Sequence, residues 1–103
     1  MKETGIVKVR NDRYALEMEE LLGSKARFRI LRLFAKYPNY AFTKYKICRV
    51  TGLKRQAVSK HVRKLLERRL ITSRGGSVLR YYFNITNRQA NVIRECLTKM
   101  ALT

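Results

Sequence analysis

The chain is poor in acid, cysteine and histidine, and each shortage removes a class of chemistry. Its 103 residues include 7 Asp+Glu, 2 Cys and 1 His. Two cysteines as far apart as Cys48 and Cys96 make neither a disulfide framework nor a CxxC metal knuckle. The lone imidazole, His61, has no residue spaced to share a metal with it, so no metal is expected. Glu17, Glu19 and Glu20 are the densest carboxylates. On a helix Glu17 and Glu20 share a face away from Met18 and Leu22, with no histidine or cysteine nearby, which reads as a solvated face. There is no phosphate loop and no nucleophile–base pair, so neither an enzyme nor a bound cofactor is indicated. No apolar run approaches the ~20 residues of a membrane span and no signal-peptide core follows the N-terminus, which predicts a soluble intracellular protein off the membrane. Repeats, low-complexity segments and linkers are absent, and the length suits one domain over residues 1–103.

What is abundant is positive charge. The chain has 24 Lys+Arg and a formal net charge of +17. Five of the 7 acids (Glu3, Asp12, Glu17, Glu19, Glu20) lie in the first twenty residues, whereas Leu21 to Arg94 holds 19 basic residues and one acid, Glu67. Such a field repels itself unless a polyanion neutralises it, and DNA is the commonest such partner. A solubilising surface or attraction to anionic lipid is the blander alternative.

Residues 51–71, TGLKRQAVSKHVRKLLERRLI, are the most informative stretch. They read as the turn and second helix of a helix-turn-helix, followed by the step into a β-hairpin. Gly52 stands where a tight turn needs positive φ. Leu53 re-enters the core and Ala57 allows close approach of two helices. Val58, Val62, Leu65 and Leu66 fall at i, i+4, i+7, i+8, one apolar stripe. The opposite face carries Arg55, Gln56, Ser59, Lys60, Arg63 and Lys64 without a carboxylate. A helix apolar behind and basic in front suits a major groove.

The surrounding chain supplies the rest of the architecture. Thr4 to Arg10 is ambiguous between an arm and a strand. Asn11 or Asp12 can cap a helix to Leu22, with Tyr14, Met18, Leu21 and Leu22 on one side. Gly23 suits its C-cap, and Ser24 caps a second helix, Lys25 to Tyr37, which Pro38 ends. Phe28, Ile30, Leu31, Leu33, Phe34 and Tyr37 cover too wide an arc for one interface, so this helix is expected at the centre. Tyr40 to Phe42 suits a short strand. Thr43 can cap a helix through Val50, with Phe42 and Ile47 at the spacing of a hydrophobic staple. Ile71 to Arg74 and Val78 to Ile85 read as strands around a Gly75-Gly76 turn, with Leu79, Tyr81, Phe83 and Ile85 alternating against Arg80, Tyr82 and Asn84. Thr86 to Gln89 fits a capping box opening a last helix, where Ile93, Leu97, Met100 and Ala101 share a face. The expected order is α-α-(β)-α-α-β-β-α, mainly α with a small β-hairpin.

That order, with Leu22 to Thr86, resembles the winged helix-turn-helix of bacterial and archaeal transcriptional regulators of the arsenic-repressor (ArsR) and multiple-antibiotic-resistance-repressor (MarR) types. LGSKARFRILRLF is similar to the ArsR opening helix, LGxxxRLRILxLL. GLKRQAVSKHVRKLLERRLI is similar to the recognition segment GLSQSxVSRHLKxLxxxGLI, and YFNIT to the Y-x-L-T that leaves the wing in the MarR type. The resemblance implies Arg55, Gln56, Ser59 and Lys60 at the base edges, and a wing from Arg74 through Gly75, Gly76 and Ser77 to Arg80. Chemistry agrees, because Gln pairs bidentately with adenine and Arg or Lys with guanine. Lys44, Lys46, Lys54, Arg63 and Lys64 are expected on phosphates, which set register without reading sequence.

Two departures stand out. Lys54 replaces the serine that caps the recognition helix, and with Arg55 places two cations at a positive helix terminus, a cost a bound phosphate would reverse. Thr43 and Tyr45 occupy the positions of the Cys-x-Cys pair of metal-sensing members and supply no thiolate. Cys48 is expected as a core thiol, and Cys96 as packing near the last apolar stripe, with an inter-subunit disulfide as the alternative. His61 is expected to pack or hydrogen-bond beside the recognition face. The tyrosines at 37, 40, 45, 81 and 82 suit core positions better than a single-strand stacking platform.

The expected function is a sequence-specific, homodimeric double-stranded DNA-binding regulator in the cytoplasm, nucleoid-associated. The flanking helices, 11–22 and 86–102, are not needed for a minimal three-helix core, so Tyr14, Met18, Leu21, Ile93, Leu97 and Met100 are expected at the dimer interface. Alternatives are an architectural, chromatin-type protein of low sequence preference, or a winged-helix interaction module of a transcription assembly. Whether a small-molecule effector exists is left open by the sequence.

Overall fold

The computed structural model of the chain describes residues 23–101. The expected helix over 11–22, with Tyr14, Met18 and Leu21, lies outside them, as does the segment from Thr4 to Arg10. The described elements are α1 (Lys25–Lys36), α2 (Lys44–Thr51), α3 (Arg55–Glu67), β1 (Ile71–Arg74), β2 (Arg80–Phe83) and α4 (Arg88–Ala101).

Helix α1 starts where Ser24 accepts a hydrogen bond from the Arg27 N–H (3.1 Å). It stops one residue before the expected Tyr37, which caps it with φ −125°, ahead of Pro38. Ile30, Leu31 and Phe34 are fully buried, and α1 packs against α2, α3, α4 and β2, the central position its wide apolar arc implied. Phe42 joins the hairpin by a single antiparallel bridge to Tyr81, so the short third strand is one residue pair. Phe42 also stacks edge-on against Phe34 at 5.2 Å.

Thr43 caps α2 by accepting from the Lys46 N–H, with Phe42 and Ile47 both buried as a staple requires. Gly52 ends α2 at φ 77°, the left-handed conformation its residue type predicts, and donates to the Cys48 carbonyl at 2.8 Å. On α3 the stripe Val58, Val62 and Leu65 is at most 1% exposed, with Leu66 packed at its edge.

The far end of α3 departs from sequence expectation. The Leu70 N–H bonds to the Leu65 carbonyl and the Arg69 N–H to that of Leu66, a Schellman closure. Leu65 and Leu70, both fully buried, provide its apolar contact. The left-handed residue of this closure is Arg69 at φ 60°, where the related pattern carries glycine.

The hairpin is smaller than expected. Strand β2 begins at Arg80 rather than Val78 and ends at Phe83 rather than Ile85. Ile71 pairs with Phe83 and Arg74 with Arg80, leaving a five-residue loop, 75–79, instead of a two-residue Gly-Gly turn. Gly75 takes φ 138°, and a Cβ there would collide with the Val78 carbonyl oxygen. Alternation therefore holds for buried Tyr81 and Phe83 but fails beyond the paired residues, where Leu79 and Ile85 are 52% and 57% exposed.

Asn84 closes the hairpin. Its amide donates to the Arg69 carbonyl (2.8 Å), and its side-chain oxygen accepts from the Thr86 N–H and hydroxyl. Thr86 is thereby engaged, and the cap of α4 falls to Asn87, which accepts from the Ala90 N–H at 2.8 Å. The expected Thr86 capping box is corrected on that ground. Helix α4 is also no appendage: Ala90 and Ile93 are 0% and 5% exposed in the chain's own core, with Leu97 packed against it.

Replacing Arg69 by glycine removes the left-handed penalty of roughly 1–2 kcal/mol but adds unfolded-state entropy, so a net gain of up to about 1 kcal/mol is expected. Chemical denaturation of Arg69→Gly beside the parent chain measures it, and a loss of stability would contradict this account of the closure.

Candidate nucleic-acid interface

Because Val58, Val62 and Leu65 are turned into the core, the helical period turns other residues outward. Arg55, Gln56, Lys60, Arg63 and Glu67 are exposed, while Ser59 and Lys64 lie half-buried along the flanks. Four of the exposed five, Gln56, Lys60, Arg63 and Glu67, follow the i, i+4, i+7, i+11 period of one ridge. Glu67 ends this ridge as its one acid and is followed at once by Arg68 and Arg69.

Lys54 is the N-cap of α3, and its side chain makes no capping hydrogen bond. The first turn of α3 contains no acid. Several N–H groups and two cations thus gather at one helix end, a ready seat for an oxyanion. Lys46 is exposed and Lys44 half-buried at the start of α2, whose first turn likewise has no acid. The wing residues Arg74, Gly75, Gly76, Ser77 and Arg80 are all exposed. Arg74 and Arg80 face each other across the ladder, a like-charge pairing that destabilises a hairpin in the absence of an anion. The Arg74 guanidinium lies 5.0 Å from the Tyr82 ring centroid, which holds it beside the strand.

Behind this face lies a buried polar contact. Arg27 on α1 and His61 on α3 are 8% and 6% exposed, and Arg27 Nε donates to His61 Nδ1 at 3.3 Å. Nδ1 can accept only when unprotonated, so the imidazole is neutral with its proton on Nε2. Burial, the Arg27 guanidinium and the Lys60 ammonium, in that order, push its pKa below the ordinary imidazole value. His61 is thus a packing and hydrogen-bonding residue beside the recognition face.

Thr43 is occupied as a cap and the exposed Tyr45 accepts from Arg49 at 2.9 Å. Among the described residues no group of three metal-ligating side chains occurs. Cys48 is half-buried against the core, and Cys96 is exposed on α4. No described helix is long and apolar enough to cross a membrane. The exposed apolar side chains Tyr37, Tyr40 and Val50 border a cleft of about 250 Å³ with Leu33, Phe42 and Lys46, and no residue of α3 lines it.

A central helix, a helix-turn-helix whose second helix presents cations and an amide, and a two-stranded wing define a winged-helix DNA-binding protein. A sequence model of the MarR family matches residues 24–77, so the chain belongs to the MarR family of transcriptional regulators, which are not enzymes. Solved structures share the fold. A predicted DNA-binding transcriptional regulator from E. coli aligns with a TM-score of 0.69 at 21% identity, over 95% of this chain and 99% of the other. HlyU from Vibrio cholerae aligns at 0.70 and 16% identity, over 99% and 100%. A MarR family transcriptional regulator from Silicibacter pomeroyi DSS-3 aligns at 0.61 and 13% identity, over 93% and 70%. No curated protein sequence matches the chain.

Two measurements follow from this geometry. The unfolded chain protonates its histidine near pH 6.5 and the folded chain only at lower pH, so the unfolded state binds more protons between those values. Stability is fully present above about pH 6.5 and falls as pH drops toward the lowered folded value. His61→Gln, which keeps an acceptor but does not titrate, should flatten the denaturation free energy between about pH 6.5 and 5, above the carboxylate range. An unaltered slope would contradict a neutral buried imidazole. Separately, Lys54→Ser should restore the missing cap and raise stability by about 0.5–2 kcal/mol in thermal or chemical unfolding.

Proposed function

We propose that the chain is a homodimeric, sequence-specific regulator of double-stranded DNA, with α3 in the major groove and the wing on flanking backbone or minor groove. The observation that carries this reading is the exposed face of α3, where Arg55, Gln56, Lys60 and Arg63 set three cations and an amide ahead of a single acid, Glu67. Arg55, Gln56 and Lys60 read base edges, with Ser59 at the flank. Lys44, Lys46, Lys54, Arg63 and Lys64 hold phosphates, and Arg74 and Arg80 grip the backbone beside the wing. Its place of action is the cytoplasm, at the nucleoid. An architectural role would need only the field, whereas Gln56 adds directional hydrogen bonds and no charge. An interaction module would favour an apolar recognition face, and the apolar cleft lies elsewhere.

Dimerisation in this reading uses the N-terminal segment, with Tyr14, Met18 and Leu21, together with α4. Since Ile93 and much of Leu97 serve the chain's own core, the outer face of α4 supplies the contact, through exposed Val92 and Cys96.

Gln56→Ala should cost about 1–3 kcal/mol on the preferred duplex and little on a scrambled one. Arg74→Ala and Arg80→Ala should weaken both duplexes alike and lower the salt slope by about one each. Binding isotherms at two salt concentrations separate the effects, and equal losses on both duplexes for Gln56→Ala would promote the architectural role. Val92→Glu should bury an unpaired charge in the dimer contact and yield monomer in sedimentation, whereas an unchanged dimer mass would remove this face from the interface.

A further inference from the structure

We propose that Lys25, Arg29, Arg32 and Lys36 on α1 form a second duplex-binding surface, facing away from the recognition helix, through which the protein holds two DNA segments. The proposal rests on the reading of α3 as the groove helix.

These four are all of the exposed residues of α1, and every one is a cation. At i, i+4, i+7 and i+11 they fall within an arc of about 60° and run about 16 Å along the helix. Solubility alone would be served by alternating signs, which also stabilise a helix through i,i+4 pairs. Here each neighbouring pair is repulsive, and Lys25 stands in the first turn, at the positive end of the helix dipole. The described residues contain only two acids, Glu67 and Glu95, and neither is on α1. A polyanion removes this repulsion, and a duplex offers one charge per about 1.7 Å, so no matching register is needed.

Direction distinguishes this surface from the first. Arg27 lies on the side of α1 roughly opposite the four cations, by the helical period of about 100° per residue. There it meets His61 on the inner side of α3. The two helices therefore touch back to back, and their solvent ridges diverge. Arg29 is also held in place, since its guanidinium donates to the Thr51 carbonyl at 3.2 Å. The chain carries 24 Lys+Arg against 7 Asp+Glu, so its own acids could neutralise only a minority of its cations, which favours DNA over the acidic N-terminal segment as the occupant.

The test is capture of a labelled duplex by a second, bead-bound duplex in the presence of the full chain. The parent chain should capture, and Arg29→Gln/Arg32→Gln should lower the salt slope of capture by about two while single-duplex affinity stays within about twofold. Lys25→Gln/Lys36→Gln, which leaves the Thr51 contact intact, should lose capture in the same way and so separates charge from folding. Undiminished capture in both variants, or no capture by the parent chain, overturns the proposal. Equal loss of single-duplex affinity would place the ridge in the first footprint and overturn it too. Capture appearing only in Glu17→Gln/Glu19→Gln/Glu20→Gln would assign the ridge to the chain's own acids. Failure of the α3 reading looks different: Arg55→Gln/Lys60→Gln would then keep full single-duplex affinity.

Discussion

Val58, Val62 and Leu65 are almost wholly removed from water in the core that α1 organises, and this burial decides which way the rest of α3 points. Each such side chain contributes roughly 1.5–3 kcal/mol, enough to hold the helix rigidly against the centre of the domain. Gln56, Lys60 and Arg63 are exposed as a consequence, because a period of 3.6 residues leaves them no other side. Gly52 sets the angle at which α3 leaves α2, and the closure around Arg69 and Leu70 sets where it stops. Asn84 then ties the hairpin to that stop through the Arg69 carbonyl, so the wing is referenced to the recognition helix by a direct hydrogen bond. Rigid placement of both elements is what reading a groove requires.

Electrostatics runs against stability at the same positions. Lys54 forgoes a cap, Arg74 faces Arg80, and the exposed ridge of α1 is all cation. Each arrangement raises the free energy of the isolated domain and lowers it once phosphate is bound. Arg27 is the exception, since its charge is turned inward onto a neutral imidazole between α1 and α3. That contact couples the protonation of His61 to the packing that carries the recognition face, with Lys60 adding to the field from the solvent side.

Much of the fold was legible because its signals are local. The caps at Ser24 and Thr43, the stop at Pro38, the αL turn at Gly52 and the apolar stripe of α3 each depend on residues within about two turns of one another. The hairpin was less so. Strand alternation predicted Leu79 and Ile85 inside, but pairing ends at Arg80 and Phe83, and the tertiary environment rather than periodicity decides how far a ladder runs. Thr86 looked like a cap until Asn84, held by Arg69 across the hairpin, claimed it.

By itself the sequence determined the order of the described helices, the amphipathic character of α3 and the excess of positive charge, because period, capping chemistry and composition are written along the chain. Only the tertiary structure decided that α4 gives Ala90 and Ile93 to the core, that Arg69 takes the strained position, and that Arg27 meets His61. The reason is physical: burial and hydrogen bonding between residues far apart depend on how the elements pack, and no local pattern specifies the partner.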